Sequence, residues 1–271
     1  MALCLRLLLL ILLVGSASQA QTQNVLHLGT TTSIRDSGLL DEIQSAFFKR
    51  HHIVLRTLVA GSEQVLSAAR RGDLDIVLTH SPNAEATFVA EGFGLQRKPV
   101  FYSHFLLVGP KGNEAGLNSQ EDLEKKLRAI IQTGLPFISR DDLSGTHMLE
   151  KGILDKLQLK PEGKSYIKSG RGMGATLQLA DQLQAHTLTD TGTWHNLQSR
   201  LSLKVLAGED RETVNQYSLI ALNPERLPHS PDAGAAVFDQ WLSGAEGQRV
   251  INQFRLNEQQ VFHSGVAKKE S

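Results

Sequence analysis

Cysteine is almost absent from this chain of 271 residues, and the formal net charge is zero. The one cysteine, Cys4, lies in an apolar segment near the N-terminus, so disulfides, a cysteine nucleophile and cysteine-ligated metals are excluded from the rest of the chain. The 28 basic residues balance the 28 acidic ones, and nothing in this balance favours nucleic acid as a partner. Apolar residues make up 41%, enough for one large domain or two lobes of about 100–150 residues.

Long hydrophobic runs are also lacking, except at the N-terminus. Arg6 precedes an apolar run over residues 7–14, and small residues at Ser18 and Ala20 fit the pattern before a cleavage site. The run is too short to span a bilayer comfortably, which argues against the alternative of an uncleaved anchor. The sequence therefore predicts a signal peptide over the first 20 residues and a soluble periplasmic protein that begins at Gln21.

Motifs for catalysis, nucleotide binding and cation binding are missing. The chain has no G-x-S-x-G elbow, no H-E-x-x-H and no GK[ST] loop. Asp142, Ser144 and His147 are too close in sequence for the usual triad, whose members come from distant strands. A zinc role for His80, His104 or His147 lacks ligand spacing. We therefore expect a protein that is not an enzyme and holds no metal cation and no cofactor.

Apolar periodicity predicts an α/β fold. Strand patterns at 25–29, 53–59 and 75–80 alternate with helical patterns, one of which places Leu39, Leu40, Ile43, Ala46 and Phe47 on one face. This β-α-β-α-β order with short links indicates a parallel sheet covered by helices. Further strands are predicted at 101–109, 136–140, 165–168, 186–190, 203–207 and 217–223, and helices at 119–131, 147–159, 175–184 and near the C-terminus, where Ala235, Phe238, Trp241 and Leu242 share a face.

Four turns rich in Ser, Thr and Gly follow predicted strands: TTTS (30–33), AGS (60–62), SRDDLSGT (139–146) and TDTGT (189–193). Ligands of open α/β sheets lie beyond the carboxyl ends of the strands, where free backbone N–H groups at helix starts favour anions. A single turn of this kind is explained by ordinary helix capping. Four together, with the donor fork of Arg140 in one of them, favour a site for a compact anion.

The glycine turn GRGMG (170–174) does not fit G-x-G-x-x-G, so it gives no support to a nucleotide site. We expect its glycines to permit tight backbone turning, with a ligand near Gly172 or Gly174 as the lesser alternative. Arg171 is expected to be solvated.

Several motifs in order carry a family resemblance. TTTS with RDSGLLD, GDLDIVLTHSP, EGFG, SRDDLSGTHMLE, GMGATLQLA and TLTDTGTW together resemble the periplasmic tungstate-binding proteins of Tup-type ABC importers, from about Asn24 to Phe262. The resemblance implies a two-lobed periplasmic-binding-protein fold of the second class. Its lobes would close over a tetrahedral oxyanion and deliver it to an ABC permease in the inner membrane.

Carried over by motif, the resemblance implies that hydroxyls, backbone and one guanidinium contact the oxyanion, in a protein that is a monomer. The implied ligand-binding residues are Thr31, Thr32, Ser33, Ser62, Arg140, Ser144 and Thr146, with Thr191 and Gly192 as weaker members.

Three residues depart from the family pattern. His186 stands where the family has Tyr, and Thr191 stands where it has Arg. Asp141 replaces a Gly, which puts an extra carboxylate near a dianion, and this is unfavourable unless it points away or pairs with a cation.

The residues alone do not decide which anion is bound. Tungstate and molybdate are dianions that need only donors, whereas hydrogenphosphate keeps a proton and needs an acceptor as well. Phosphate becomes plausible if Asp36, Asp141 or Asp142 faces the ligand. We expect instead that Asp36 caps the first helix and that Asp142 holds Arg140 or its loop. Only the family resemblance favours tungstate over molybdate.

The predicted lobes are residues 21–105 with 218–271 and residues 106–217, joined by a hinge near 103–108 and 216–221. Bound anion would favour the closed arrangement because it contacts both lobes. The alternatives are a molybdate- or phosphate-binding protein of the same fold, and a periplasmic sensor or enzyme built on the same lobes.

Overall fold

A computed structural model describes residues 24–112, 122–209, 213–227 and 233–267. The predicted signal peptide and the predicted helix start at Ser119 lie outside these ranges. Within them, no helix is long and apolar enough to cross a membrane.

Strands and helices alternate along most of the chain. The strands are β1 (Val25–Thr31), β2 (Val54–Ala60), β3 (Ile76–Thr79), β4 (Lys98–Pro110), β5 (Phe137–Ser139), β6 (Tyr166–Lys168), β7 (His186–Asp190), β8 (Leu203–Gly208), β9 (Val214–Ala221) and β10 (His263–Ser264). The helices are α1 (Thr32–Asp36), α2 (Leu39–His51), α3 (Ser62–Arg70), α4 (Pro82–Ala90), α5 (Leu123–Thr133), α6 (Gly145–Lys156), α7 (Met173–Gln182), α8 (Thr191–Leu197), α9 (Ala233–Ser243) and α10 (Ala245–Gln253).

The strands form two halves that share the long strand β4. In the first half, β1 pairs in parallel with β2 and β3, and β9 lies antiparallel between β3 and residues 98–104 of β4. In the second half, residues 105–110 of β4 pair antiparallel with β7 and β8, and β5 lies parallel to β6 and β7. Partner strands therefore change between His104 and Phe105.

Each half has its own apolar core. In the first half, α2 buries Leu39, Leu40, Ile43 and Phe47, as its periodicity predicts, against α9. The predicted face of α9 (Ala235, Phe238, Trp241, Leu242) is buried in the same cluster. In the second half, helices α7 and α8 cover one face of the sheet and α5 and α6 cover the other. Alternating strand and helix patterns produce this arrangement because each half must bury both faces of its sheet.

The predicted lobe boundaries stay a prediction. The change of partners in β4 falls inside the predicted segment 103–108. The boundary at 217/218 cuts through β9, which pairs along its length with β3 and the first part of β4.

Candidate anion-binding site

The turns selected from the sequence meet where the two halves touch. The Arg140 Nη2 atom, in the turn after β5, donates to Thr32 Oγ1 at the start of α1, 3.4 Å away. A Cβ atom added to Gly61, in the turn after β2, would lie 3.1 Å from the Asp142 carbonyl oxygen and 3.6 Å from the Ser144 nitrogen. Three of the four turns are thus brought into contact across the halves.

Arg140 is almost completely buried, with 2% of its surface exposed. Its Nη2 atom also donates to Asp142 Oδ2 in a close ion pair, and its backbone carbonyl accepts from the Gly170 nitrogen at 3.0 Å. Its Nε atom has no hydrogen-bond partner among the described residues. Since Arg cannot lose its charge in a protein, this buried N–H is a donor held ready for an acceptor.

Several hydroxyl groups of the same three turns are not used as helix caps. Thr31 is the N-cap residue of α1, and yet its side chain makes no cap bond, whereas its Oγ1 lies 3.0 Å from Ser33 Oγ. Ser62 Oγ accepts from the His80 nitrogen at 3.4 Å, which leaves its own proton available. Thr146 Oγ1 is buried and has no partner among the described residues.

Ordinary capping does account for parts of the other two turns. Ser144 Oγ accepts from the His147 nitrogen at 3.3 Å and begins α6. Asp190 Oδ1 accepts from the Thr193 nitrogen at 2.8 Å and begins α8. Ser144 caps as an acceptor and therefore keeps its own proton for a second hydrogen bond.

Asp142 and Asp141, two of the three aspartates that raised the question of phosphate, each have partners within the protein. Asp142 uses Oδ2 for Arg140 and Oδ1 for the Ser144 nitrogen at 3.1 Å, as expected from the sequence. Asp141 is exposed and faces Lys168 at 3.4 Å and His147 at 3.7 Å. Its backbone φ of 46° is the left-handed conformation that Gly adopts most easily, which gives a physical reason for the Gly of the family pattern.

The expectation that Asp36 caps the first helix is wrong. The predicted first helix corresponds to α2, whose N-cap residue is Gly38 and which has no side-chain cap bond. Asp36 is instead the last residue of α1, and its Oδ2 accepts from the Gly174 nitrogen in α7 at 3.3 Å. Its backbone carbonyl accepts from Asn196 Nδ2 in α8 at 2.6 Å. The carboxylate lies near the positive end of a helix in the second half, so it joins the halves.

Thr191 and Gly192 contact other parts of the protein. Thr191 Oγ1 accepts from the His104 nitrogen and donates to the Val261 carbonyl, each at 3.4 Å. A Cβ atom on Gly192 would lie 2.9 Å from Phe262 and from Ser37. Thr191 borders a separate cavity of about 430 Å³ that is lined by histidines and glutamines. Thr191 and Gly192 thus contact His104, Ser37 and residues 261–262.

Three buried residues that sequence reasoning left out of the site lie directly beneath it. His80 Nδ1 is 2.7 Å from Asn215 Oδ1, and Asn215 Nδ2 donates to the Tyr217 hydroxyl at 3.0 Å. The Tyr217 hydroxyl is 3.0 Å from Ser33 Oγ. The signal for His80 was its place in the THSP segment, directly after a predicted strand. Asn215 and Tyr217 come from β9, and no local pattern shows that β9 inserts beside β3.

The enzyme and cation alternatives gain no support from the geometry. Ser144 Oγ bonds to the backbone of His147, while His147 Nδ1 accepts from the Leu143 nitrogen at 3.0 Å, so the two side chains do not form a nucleophile–base pair. Over the described ranges, no group of three or more His, Cys, Asp or Glu residues is placed to hold a metal ion.

Burial shifts the pKa of two acids, Glu150 and Asp190, toward their neutral forms. Burial raises the pKa of Glu150 to about 7, although hydrogen bonds from Tyr166 and Ser139 lower it. Burial likewise raises the pKa of Asp190, against the lowering effect of its bonds to Thr193. A proton on Glu150 removes negative charge from the surroundings of the site.

Replacing Glu150 by Gln should change how stability depends on pH. The unfolded chain loses the Glu150 proton near pH 4.5, whereas the folded protein holds it up to about pH 7. The stabilising effect of this proton is complete below pH 4.5 and is lost as the pH rises through 7. Glu150→Gln should therefore gain stability relative to the parent between pH 4.5 and pH 8, measured by urea unfolding. If the free energies of unfolding of Glu150→Gln and the parent differ by the same amount at pH 4.5 and at pH 8, the raised pKa of Glu150 is refuted.

The comparisons with known proteins agree with this geometry. A family model described as a PBP superfamily domain matches residues 16–246. The tungstate-binding protein TupA of Peptoclostridium acidaminophilum is 36% identical over 242 residues, which cover 89% of this chain and 85% of that protein. The chain belongs to this family of tungstate-binding proteins. The resemblance noted from the sequence is thereby confirmed.

Solved structures of the family have the same fold. The crystal structure of the tungstate ABC transporter from Geobacter sulfurreducens superposes with a TM-score of 0.76 at 34% identity, covering 85% of this chain and 98% of that one. The tungstate-binding protein TupA from Desulfovibrio alaskensis G20 gives 0.74 at 33% identity, covering 90% and 100%. The predicted two-lobed periplasmic-binding-protein fold is confirmed.

Proposed function

We propose that this chain captures tungstate between its lobes and delivers it to an ABC permease. The observation that carries the proposal is the pair of buried donors, Arg140 Nε and Thr146 Oγ1, that lack partners among the described residues. They lie in turns that touch the other lobe through Thr32 and Gly61. A buried donor left unpaired costs about 1–3 kcal/mol, so an anion that supplies acceptors here is strongly favoured.

The donors fit a fully deprotonated tetrahedral oxyanion better than hydrogenphosphate. Asp142 uses both carboxylate oxygens within the protein, and Asp141 faces Lys168 and His147. These partners compete with a protonated ligand for the carboxylate oxygens, and a ligand proton that faces the donors instead is left unmatched. We favour tungstate over molybdate as the ligand because the relative at 36% identity is a tungstate-binding protein.

The proposed ligand contacts come from both lobes. One lobe supplies the start of α1 and Ser62, and the other supplies Arg140 and the start of α6. An anion that binds both sets favours the closed state by the contacts it makes only there. The proposed contact residues are Thr31, Thr32, Ser33, Ser62, Arg140, Ser144 and Thr146.

Titration calorimetry on the mature chain, residues 21–271, tests the function directly. The expected result is one tungstate bound tightly per chain, with molybdate as the nearest competitor and hydrogenphosphate far weaker. Tight phosphate binding together with indifference to tungstate would overturn the proposal.

Thr191→Ala should leave tungstate affinity within about twofold of the parent, because a substitution away from the ligand changes free energies by about 0.5 kcal/mol or less. The Thr191 hydroxyl is already bonded to Val261 and His104. Calorimetry compares this variant with Thr146→Ala, which should bind more weakly. A loss of tenfold or more in Thr191→Ala would return Thr191 to the binding site.

We propose further that the mature protein is periplasmic, monomeric and without catalytic turnover. The N-terminal pattern and the binding proteins among the relatives support this proposal. Mass spectrometry of the exported protein should give Gln21 as the first residue, and light scattering should give the mass of one chain. A retained N-terminus or a dimer would contradict the corresponding part.

A further inference from the structure

A buried chain of hydrogen bonds runs from His80 to the edge of the proposed site. It passes from His80 Nδ1 to Asn215 Oδ1 (2.7 Å), from Asn215 Nδ2 to the Tyr217 hydroxyl (3.0 Å), and on to Ser33 Oγ (3.0 Å) and Thr31 Oγ1 (3.0 Å). Each of these five residues is at most 4% exposed. Solvent therefore has little influence on which way the protons of this chain point.

The amide of Asn215 gives the chain a direction. Its Nδ2 can only donate, and it donates to the Tyr217 hydroxyl and to Ser103 Oγ at 3.2 Å. Tyr217 accepts from Asn215 and so has its own proton for Ser33. Ser33, accepting from Tyr217, turns its proton to Thr31 or to the cleft, and Thr31 has a proton left for the cleft. The chain of hydrogen bonds therefore ends in a hydroxyl proton, of Thr31 or of Ser33, that is free for an anion in the cleft.

His80 holds the amide in this orientation. Burial lowers the pKa of His80 to about 4, so its ring is neutral near pH 7 and carries a single proton. With that proton on Nδ1, His80 donates to Asn215 Oδ1. The ring is also fixed by stacking against Tyr217, with centroids 4.8 Å apart. If the amide were reversed, Tyr217 would donate to Asn215, and the protons of Ser33 and Thr31 would turn inward.

We propose that His80, Asn215 and Tyr217 are specificity-determining positioning residues that fix Ser33 and Thr31 as donors and so select oxyanions without a proton. This inference rests on the proposed oxyanion-binding function and assigns a cause to its selectivity. Removing the central hydroxyl would free Ser33 to rotate and to accept a proton from the ligand. Hydrogenphosphate would then be less strongly rejected.

The test uses Tyr217→Phe, which keeps the buried ring and deletes the hydroxyl. Calorimetry on the mature parent and the variant measures affinities for tungstate, sulfate and hydrogenphosphate. The ratio of tungstate to hydrogenphosphate affinity should fall by about tenfold or more, the effect of one buried unmatched hydrogen bond. The ratio of tungstate to sulfate affinity should stay the same, because sulfate, like tungstate, carries no proton. A merely structural role would weaken all three anions together.

Two further variants keep the test decisive. Tyr102→Phe removes a tyrosine hydroxyl of β4 that does not belong to this series of hydrogen bonds, and it should leave both affinity ratios unchanged. Asn215→Asp replaces the donor by an acceptor and should lower the tungstate-to-hydrogenphosphate ratio as Tyr217→Phe does; it provides the answer if Tyr217→Phe fails to fold. If the parent binds tungstate and both affinity ratios are unchanged in Tyr217→Phe and Asn215→Asp, this inference is wrong and the proposed function stands. If the parent does not bind tungstate, the proposed function itself fails.

Discussion

Replacing Arg140 by alanine should weaken tungstate binding by roughly 10-fold to more than 100-fold. A hydrogen bond to a charged group contributes about 1.5–3 kcal/mol, and each 1.4 kcal/mol corresponds to a factor of about ten in affinity. Arg140 supplies the permanent positive charge at the meeting point of the turns, and its Nε proton is the buried donor without a partner in the described structure. The tungstate affinity of Arg140→Lys should lie between those of the parent and of Arg140→Ala, because lysine keeps the positive charge and loses the planar donor fork.

Arg171→Ala is the matched control for loss of an arginine. Arg171 lies in the turn before α7 and is exposed, so its removal should leave affinity unchanged. Because Arg140→Ala also leaves Asp142 without its cation, the ligand-free melting temperature must be measured beside the affinity. A folded Arg140→Ala protein that binds tungstate within about twofold of the parent would remove Arg140 from the site.

The second large effect concerns closure of the lobes. Gly145 is the first residue of α6, and a Cβ atom there would lie 2.4 Å from the His80 ring and 2.8 Å from the His80 carbonyl oxygen. The ring cannot easily retreat, because it stacks on Tyr217 and bonds to Asn215. Gly145→Ala should therefore oppose the closed state. Overpacking costs about 1–3 kcal/mol, so tungstate affinity should fall by roughly 5- to 150-fold.

Separation of the lobes should relieve this clash in the ligand-free protein. The melting temperature without tungstate should consequently stay close to that of the parent, while binding is weakened. Gly152→Ala is the control in the same helix, since a Cβ atom at Gly152 meets nothing within 4 Å. It should bind tungstate normally and gain a little stability from better helix propensity. Parental affinity in Gly145→Ala would show that contact between His80 and Gly145 is not needed for binding.

Local patterns predicted much of the fold and the main donors of the site. The apolar faces of α2 and α9 follow from helical periodicity alone, and both are buried as expected. Arg140, Ser62 and Thr146 could be selected because each follows a strand whose carboxyl end faces the cleft. These features depend only on residues close together in sequence.

Long-range pairing could not be predicted in the same way. Asp36 was expected to cap the helix that follows it, but it bonds to Gly174, 138 residues away along the chain. Asn215 and Tyr217 reach the site because β9 returns from the second half and inserts antiparallel beside β3. A local sequence window contains only one member of each of these pairs, so periodicity and capping rules carry no information on such contacts.

Crystals grown with tungstate offer the most direct measurement, because the anomalous scattering of tungsten marks the ion without ambiguity. The predicted result is one strong peak per chain, with oxyanion oxygens within hydrogen-bond distance of Arg140 Nε and Thr146 Oγ1. A fully occupied tungsten position elsewhere, with the Arg140 side chain turned into solvent, would contradict it.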